Sequence, residues 1–559
     1  MGDSEESVMR SDLTRRGLLK LGMGAAGIAL LQACSSAVSP TSTATSAPKA
    51  TTAAATSAPK AATPAAVATQ APAAATKATE PKKGGTFTLA RGAGIDEFDP
   101  LWGKAAHFPF VRAMWNTLIH YDSQLVPQPE LAEKWSFSGD GKTMTLSLRQ
   151  GVKYHSGREF TSDDVKQSVQ FATTDTNNNM RVLHANIKQV ETPDKYTAVL
   201  KFDGVFPGIY DALDVLYMID KESIADRAKT AVGTGPFKFD KYLPNDRLEM
   251  VAFKDYWEKG KPYLDRYIVR QIPDVAAMSI NLESGAVDCI WEPSPRDLTR
   301  LANSGGKYVT DQGAPGASMF NVAINVKAPP FTDKRVRQAV AWSIDRARFA
   351  RTTLQGLVQP TNLMWPTHSW AYFKDLEGKI SYDLEKAKAL LKDAGVSGFE
   401  TEILTSGKTV SGYSDLAQML QADLTKVGIN AKISDLEPTM YSARINKGDM
   451  QVLTHAYGRA NRDPGSLLSG AKAWYNEKEG GWTHIDSVQY DELRKSVNAV
   501  MDREQRQALC RKIQEMVLDE CFIIPVAPNQ KAWAYASYVK GFSYNMDDAP
   551  YAANVWLDK

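Results

Sequence analysis

Residues 399–433, FETEILTSGKTVSGYSDLAQMLQADLTKVGINAKI, contain the pattern that decides the fold of the second half of the chain. Apolar residues alternate at both ends, which predicts two strands, and between these ends they recur at helical spacing. We expect Ser414 to cap the helix and Gly428 to end it. A strand, a helix and a strand in this order predict a parallel sheet with a right-handed crossover. The predicted helical stripe is Leu416, Met419, Leu420, Leu424 and Val427.

Helices continue to alternate with strands on both sides of this unit. Asp333 and Asp383 each precede apolar residues at helical spacing, so each is predicted to begin a helix. Two further helices are predicted at about 487–500 and 502–519. The apolar run at 522–526 follows as a short buried strand, which we expect to return to an earlier sheet and make the N-terminal lobe discontinuous.

The first half of the folded body instead contains antiparallel hairpins. Residues 135–138 and 143–148 flank a Gly-Asp-Gly turn, and the second of these segments alternates apolar with polar residues. Residues 188–191 and 196–202 form a similar pair around a Pro-Asp turn. The first half is therefore predicted to be rich in antiparallel pairing, and the second half in α/β units.

Length and charge set broad limits on the architecture and on the partners. The chain has 559 residues, 43% of them hydrophobic, which is enough for more than one large core and favours a two-lobed or multidomain protein. Lys and Arg total 66, and Asp and Glu total 64, so the formal net charge is +2. This near balance gives no electrostatic reason to expect a nucleic-acid partner.

The first residues predict export and anchoring. TRRGLLK at 14–20 precedes an apolar stretch at 21–31 that is too short to span a membrane, a combination typical of a twin-arginine signal peptide. The sequence LQAC ends at Cys34 and resembles a lipobox. Residues 1–33 are therefore predicted to be removed, and Cys34 to carry a lipid that anchors the chain without spanning the bilayer. The alternative is an ordinary secretory cleavage site with an incidental cysteine.

A linker is predicted between the anchor and the folded body. Residues 34–83 begin with the lipidated cysteine and consist mostly of Ala, Thr, Ser, Pro and Lys. Such a composition cannot bury enough apolar surface to offset chain entropy, so we expect a disordered stalk. The stalk would hold a globular body near the outer face of a membrane.

The other three cysteines allow at most one disulfide. Cys510 and Cys521 are a better pair than either with Cys289, because one lies late in a predicted helix and the other opens the next strand. Three buried thiols are the alternative, and the sequence leaves both open.

Motifs of catalysis and metal binding are missing from the sequence. It contains no G-x-S-x-G elbow, no H-E-x-x-H and no G-x-x-x-x-G-K-[ST] phosphate loop. The seven histidines are dispersed with no ligand-like spacing. We therefore predict neither an enzyme nor a metal site, and no cofactor.

A series of short segments resembles the family 5 extracellular solute-binding proteins, the oligopeptide, dipeptide and nickel receptors of ATP-binding-cassette (ABC) importers. The segments occur in the family's order and spacing over essentially all of residues 84–559. They include WNTL (115–118), PELAEKW (129–135), LRQGVKYH (148–155), FTSDDV (160–165), GTGPF (233–237), YW (256–257), GAVD (285–288), FTDKRVRQAV (331–340), ID (344–345), GI (428–429) and DP (463–464).

The resemblance implies an α/β, two-lobed periplasmic-binding-protein fold of type II, with mixed sheets, an extra subdomain in the first lobe and a discontinuous N-terminal lobe. The chain crossings between the lobes are expected near residues 320–326 and 521–528. The implied domains are lobe I (84–118, 233–325 and 521–559), an inserted subdomain (119–232) and lobe II (326–520).

The resemblance also implies a function. The resemblance implies a monomeric, extracytoplasmic receptor that is anchored to the cell membrane. The receptor is expected to close its lobes around a small solute and to deliver the solute to an ABC transporter permease and ATPase complex. A periplasmic hydrolase or a surface scaffold built on the same body is the alternative.

One loop bears on the identity of the ligand. In the peptide-binding branches that the chain resembles, an aspartate three residues before an Asp-Pro step pairs with the peptide's amino group, and this chain has Ala460 there. A buried ammonium group without a carboxylate partner is costly, which counts against a free peptide N-terminus held in that way. Arg459 and Arg462 are candidates to receive a ligand carboxylate or phosphate, with a solvent-facing position as the alternative for each. Asn461 and Asp463 complete the candidate contacts of this loop.

Four aromatic residues are candidate platforms for the ligand. Trp365, Trp370 and Tyr457 lie on predicted loops of lobe II, and Phe98 lies on an N-terminal loop of lobe I. Stacking aromatic rings suit sugars or amphipathic ligands, although we expect about half of these four to be structural. The ligand is therefore predicted to be a peptide or an oligosaccharide.

Overall fold

The computed structural model describes residues 80–95, 98–101, 107–122, 125–176, 178, 180–226, 229, 231–313, 316–529 and 531–559. The predicted signal peptide, the lipidation site at Cys34 and the predicted linker up to residue 79 lie outside these residues. The described residues belong to one compact unit, Ala78–Lys559. None of the described helices is both long enough and apolar enough to cross a membrane.

The secondary structure alternates between helices and strands along the chain. The strands are β1 (Thr86–Arg91), β2 (Ile119–Tyr121), β3 (Pro127–Pro129), β4 (Ala132–Phe137), β5 (Thr143–Leu148), β6 (Ile187–Asp194), β7 (Thr197–Phe202), β8 (Phe237–Leu243), β9 (Arg247–Ala252), β10 (Arg266–Gln271), β11 (Cys289–Trp291), β12 (Tyr308–Asp311), β13 (Ser318–Ile324), β14 (Phe399–Thr405), β15 (Ile429–Asp435), β16 (Val452–Gly458), β17 (Ile523–Pro528), β18 (Trp533–Ala536), β19 (Val539–Lys540) and β20 (Trp556–Leu557). The helices are α1 (Phe108–Met114), α2 (Ser162–Thr174), α3 (Arg181–His184), α4 (Ile209–Leu213), α5 (Val275–Glu283), α6 (Pro295–Ala302), α7 (Lys334–Ser343), α8 (Arg346–Thr352), α9 (Leu384–Asp393), α10 (Ser411–Thr425), α11 (Pro438–Asn446), α12 (Pro464–Gly470), α13 (Val488–Val497) and α14 (Arg503–Glu520).

Lobe I is built on a mixed seven-stranded sheet in the order β12-β18-β11-β1-β10-β9-β8. Strand β1 lies at its centre, parallel to both β10 and β11, while the remaining neighbours are antiparallel. Phe87 and Leu89 on β1 are fully buried because the central strand is covered on the face that they share.

The inserted subdomain has its own antiparallel sheet, in the order β4-β5-β7-β6, and its own hydrophobic core. Both predicted hairpins are confirmed, since β4 pairs with β5 and β6 pairs with β7. Helices α3 and α4 and the small β2-β3 pair complete this subdomain, and they carry residues that reach the other lobe.

Lobe II is built on a five-stranded sheet in the order β15-β14-β16-β13-β17. The predicted strand–helix–strand unit is confirmed, because β14 and β15 are parallel and α10 lies between them in the chain. The helix starts at Ser411, with Val410 at the N-cap position, four residues earlier than predicted. Ser414 is therefore not its cap, and its hydroxyl instead donates to the Asp435 carboxylate. Asp333 and Asp383 cap α7 and α9 as predicted.

The crossings between the lobes lie elsewhere than predicted. Strand β17 pairs with β13 in the sheet of lobe II, so the apolar run that we expected to return to lobe I stays in lobe II. Lobe I is discontinuous through β18, the next strand along the chain. The chain therefore crosses between β12 and β13 and again between β17 and β18. An apolar run predicts a strand that is buried on both faces, but it does not identify the sheet that the strand joins, because both large sheets offer such a position.

The three cysteines that the structure describes are free and buried. Cys510 lies within α14, and Cys521 follows that helix with φ of 50°. Both thiols belong to the hydrophobic core of lobe II. The sequence left a Cys510–Cys521 disulfide open, and in the structure the two residues are separate buried thiols.

Candidate ligand-binding site between the lobes

The loop from Arg459 to Asp463 is one of the parts of lobe II that contact lobe I and its inserted subdomain. It leaves β16 and enters α12, and the Arg459 backbone N–H donates to the Ala317 carbonyl, 2.8 Å away, beside one of the two crossings. The four predicted contacts of this stretch, Arg459, Asn461, Arg462 and Asp463, lie at the junction of the lobes.

Arg462 forms ion pairs with both parts of the first lobe. Its side chain is 0% exposed, and its Nη1 donates to Asp214 Oδ2 in the inserted subdomain at 2.6 Å. Its Nη2 donates to Asp547 Oδ2 in the C-terminal segment, also at 2.6 Å. Asp214 also accepts from Arg112 Nη2 at 2.8 Å. Burial raises the pKa of Asp214, but the guanidinium groups of Arg462 and Arg112 outweigh it and hold that pKa below its ordinary value.

Asp463 and Asn461 are also held by protein groups. Asp463 caps α12 by accepting from the Gly465 N–H, and its Oδ2 accepts from Arg506 Nη1 at 2.8 Å. Asn461 is 1% exposed, and its Nδ2 donates to the Met546 carbonyl at 2.9 Å. The structure therefore gives these two predicted ligand contacts, like Arg462, partners within the protein.

Arg459 differs from its neighbours in the loop. Its φ is 66°, a left-handed conformation that is unusual for a residue with a side chain and that tends to occur at functional sites. All three guanidinium nitrogen atoms are shielded from solvent without a hydrogen-bond partner among the described residues. Its closest ion-pair contact, from Nη1 to Asp547 Oδ1, is 3.9 Å long, which exceeds hydrogen-bond range.

Two titratable side chains of the inserted subdomain face this arginine. Asp211 is 0% exposed, and burial raises its pKa against the opposing influence of Arg459 and Arg462. Its Oδ2 accepts from the Asp463 N–H at 3.1 Å. His184 is also 0% exposed, and burial, reinforced by the charge of Arg459, lowers its pKa to about 4. The histidine is therefore neutral at ordinary pH.

The four predicted aromatic platforms lie against protein. Phe98 is 7% exposed and packs edge-to-face on Phe239 and Tyr242 in the core of lobe I. Trp365 and Tyr457 are 0% and 2% exposed in the core of lobe II, where the Tyr457 hydroxyl donates to the Met364 carbonyl. The prediction that Tyr457 lies on a loop is wrong, because it belongs to strand β16. Both rings lie in the core, where large apolar rings gain most from burial.

Trp370 is the least buried of these four aromatic residues. The guanidinium groups of Arg503 and Arg506 lie 5.7 Å and 5.2 Å from its ring centroid. Two arginine side chains of the protein therefore already lie beside this ring, within the range of cation–π contacts.

Several residues of the interface are absent from the sequence-based prediction. His184, Asp211, Asp214 and Asp547 come from segments far along the chain from the loop of lobe II, and each occurs in an unremarkable local sequence. Only the pairing of lobes brings them to Arg459 and Arg462. Among the described residues, no group of three or more His, Cys, Asp or Glu could hold a metal ion.

Two α/β lobes, joined by two chain crossings and meeting at buried charged groups, define the class of two-lobed binding proteins with the type II periplasmic fold. A family model described as "Bacterial extracellular solute-binding proteins, family 5 Middle" matches residues 126–479. The chain therefore belongs to this family of extracellular, substrate-binding receptors, and the predicted resemblance is confirmed.

Individual relatives agree with this assignment. The chain is 29% identical over 453 residues to the dipeptide-binding protein of Escherichia coli, covering 74% of this chain and 83% of that protein. It is 27% identical over 466 residues to the heme-binding protein A of Haemophilus influenzae, covering 77% and 84%. The ABC transporter-associated periplasmic binding protein DppA of Helicobacter pylori, in complex with the peptide STSA, superimposes with a TM-score of 0.75 at 25% identity, covering 86% of this chain and 99% of that one.

Proposed function

We propose that this protein captures a small solute with an anionic group between its lobes and delivers it to the permease of an ABC importer. Arg459 carries the proposal. A buried guanidinium group without hydrogen bonds is costly, and a ligand carboxylate is the group that its planar donors match best. Arg462, the other candidate, already has two carboxylate partners.

A carboxylate-bearing peptide fits this chemistry better than a neutral oligosaccharide. Two of the relatives named above bind dipeptides or a peptide by their descriptions. Ala460 is 0% exposed and offers no charge for a peptide ammonium group. We therefore expect recognition through the peptide carboxyl end, with little dependence on a free amino end.

Thermal unfolding with three matched peptides tests this proposal. A dipeptide with free ends, its N-acetyl derivative and its C-terminal amide are compared at equal concentration, with a neutral oligosaccharide alongside. A ligand at 100 times its Kd stabilises the protein by about 2.7 kcal/mol, which corresponds to a melting shift of roughly 3 °C for a protein of this size. We expect protection by the first two peptides and loss of protection with the amide.

Variants at two arginines complete the test. Arg459→Gln is expected to abolish protection by carboxylates while leaving the melting temperature of the free protein nearly unchanged. Arg296→Gln, on an exposed part of helix α6, serves as the matched control and is expected to bind normally. Protection by the oligosaccharide alone, or normal peptide binding by Arg459→Gln, would contradict the proposal.

We also propose that the receptor acts as a monomer, without turning over its ligand, and is exported by the twin-arginine route and anchored through a lipid on Cys34. The motif at residues 14–20 and the LQAC sequence support this placement. Cys34→Ala is expected to release the protein from the membrane fraction and to abolish labelling by radioactive palmitate in cells. Lysines in place of Arg15 and Arg16 are expected to retain the precursor inside the cell.

A further inference from the structure

A cavity lies between the inserted subdomain and lobe I. It has a volume of about 540 Å³, within the range of small-molecule sites. Its walls are the β2-β3 pair, the loop that follows β9 and the C-terminal segment from Ser543 to Asn554. No lining residue belongs to lobe II, so the cavity is separate from the site proposed at Arg459.

The floor of this cavity is held by a connected set of hydrogen bonds. Asn116 Nδ2 donates to Glu130 Oε1 at 2.7 Å, and Thr117 Oγ1 donates to Glu130 Oε2 at 2.6 Å. Trp257 Nε1 donates to Asn116 Oδ1 at 3.2 Å. Asn116 and Glu130 are 3% and 7% exposed. The floor is therefore formed before any ligand arrives, which lowers the cost of binding.

One wall combines a flat ring with positive charge. The Arg149 guanidinium lies 4.4 Å from the centroid of the Trp257 ring, and both groups are partly exposed. Lys261 stands at the same wall, where its Nζ donates to Glu258 Oε2 at 2.7 Å. A stacked guanidinium group presents a planar cationic surface, which suits a flat anion.

The lining also contains a histidine and a tyrosine that contact each other. The rings of His120 and Tyr551 meet edge-to-face, with centroids 5.6 Å apart. His120 Nδ1 is buried without a hydrogen bond among the described groups, and its distance of 3.8 Å to Glu130 Oε2 is too long for one. This part of the lining therefore has unused hydrogen-bonding capacity beside an aromatic ring.

Two cations of the lining, Arg149 and Lys261, are partly exposed and can meet an anion. Arg112, Arg149 and Lys261 are cationic, whereas Glu130 and Glu258 are the two lining carboxylates. The Glu130 carboxylate already accepts several hydrogen bonds in the floor, so it repels an incoming anion less than a free carboxylate would. Arg112 is already paired with Asp214. Arg149 and Lys261 each form one ion pair near the surface, with Glu133 and Glu258, and pairs of this kind are weak enough for a ligand carboxylate to compete for the two cations.

We propose that this cavity is a second ligand site, which binds a small aromatic carboxylate. The ring of the ligand would lie among Trp257, Tyr256 and Tyr551, and its carboxylate would meet Lys261 and Arg149. A site of this kind would let a second solute bind to the receptor independently of the solute held between the lobes.

Calorimetry and ligand-detected NMR on the full folded body test the proposal with 4-hydroxybenzoate as the probe. The neutral 4-hydroxybenzamide is the matched control, and we expect it to bind at least about tenfold more weakly because it lacks the charge. Lys261→Gln is expected to weaken binding of the benzoate by about five- to twentyfold. Ser543→Trp is expected to abolish it by filling the cavity.

A variant of the other site separates the two proposals. Arg459→Gln, which is expected to lose peptide protection, should bind the benzoate as the unmodified protein does. Absence of benzoate binding, equal binding of the benzamide, or unchanged binding by Lys261→Gln would overturn the second site. Loss of benzoate binding in Arg459→Gln would place the probe between the lobes and would overturn it as well.

Discussion

Replacing Arg462 with methionine tests whether the ion pairs between the lobes stabilise the folded protein. The substitution keeps an apolar stem of similar length and removes two charge-assisted hydrogen bonds of 2.6 Å. Asp214 keeps its bond from Arg112, whereas the nearest remaining cation of Asp547 is Arg459, at 3.9 Å. Removing one partner of a buried pair costs about 3–5 kcal/mol, and the retained Arg112 favours the lower end, about 3 kcal/mol.

The expected loss is measured by thermal and urea unfolding of the ligand-free protein. At about 1 °C per kcal/mol for a chain of this size, Arg462→Met should melt roughly 3 °C below the unmodified protein. Adding Asp547→Asn removes the carboxylate left without its partner. The double variant should therefore be at least about 1.5 kcal/mol more stable than the sum of the two single losses predicts.

A matched control and two outcomes make this test decisive. Arg296→Met removes an exposed arginine from α6 and should change stability by no more than about 0.5 kcal/mol. Unchanged melting of Arg462→Met would refute the reasoning, because a buried pair of this geometry cannot be lost without cost. Strict additivity of Arg462→Met and Asp547→Asn would refute it too, because it would mean that the two side chains do not interact.

Three further predictions follow from buried groups and from one crossing. His184 has a pKa of about 4 in the folded protein and an ordinary value of 6.5. The neutral histidine should therefore contribute stability that is present above pH 6.5 and is lost as the pH falls toward 4, by up to about 3 kcal/mol. The melting temperature of His184→Asn should change less between pH 7 and pH 4 than that of the unmodified protein. At Gly313, φ is 74° and a new Cβ would lie 1.6 Å from the Lys531 carbonyl oxygen. Gly313→Ala should therefore lower the free energy of unfolding measured in urea by at least about 2 kcal/mol, and equal stability would contradict this geometry. Burial raises the pKa of Cys521 to about 12 and that of Cys510 above its ordinary value, so both thiols should resist maleimide in the folded protein and react in urea, as peptide mapping would reveal.

The predicted fold agrees with the structure where a local pattern decided the matter. Hairpins around turn residues and helices after Asp333 and Asp383 depend on neighbours in sequence, and these elements occur where they were expected. The family was also recognisable, because its segments keep a fixed order along the chain. The strand at Ile523–Pro528 was found as a strand but assigned to the wrong lobe.

The candidate site was predictable only as a loop. Its sequence identified Arg459 and Arg462 as unusual, yet it could not tell which of them has partners, because Asp214 and Asp547 lie 248 and 85 residues away from Arg462 in the chain. The aromatic residues were judged by their presence on loops, but whether a ring such as that of Trp365 faces a cleft or a core depends on how the loop packs.

The amino-acid sequence alone determined the α/β class, the family, the hairpins and the arginine-rich loop, because periodicity, turn residues and motif order are local properties. The tertiary structure alone decided where the chain crosses between lobes, which sheet the strand Ile523–Pro528 joins and which arginine lacks a hydrogen-bond partner among the described residues. These outcomes depend on pairing and ion-pair geometry between distant segments. A buried charge is stabilised by its neighbours in space, and the sequence does not specify those neighbours until the lobes have folded.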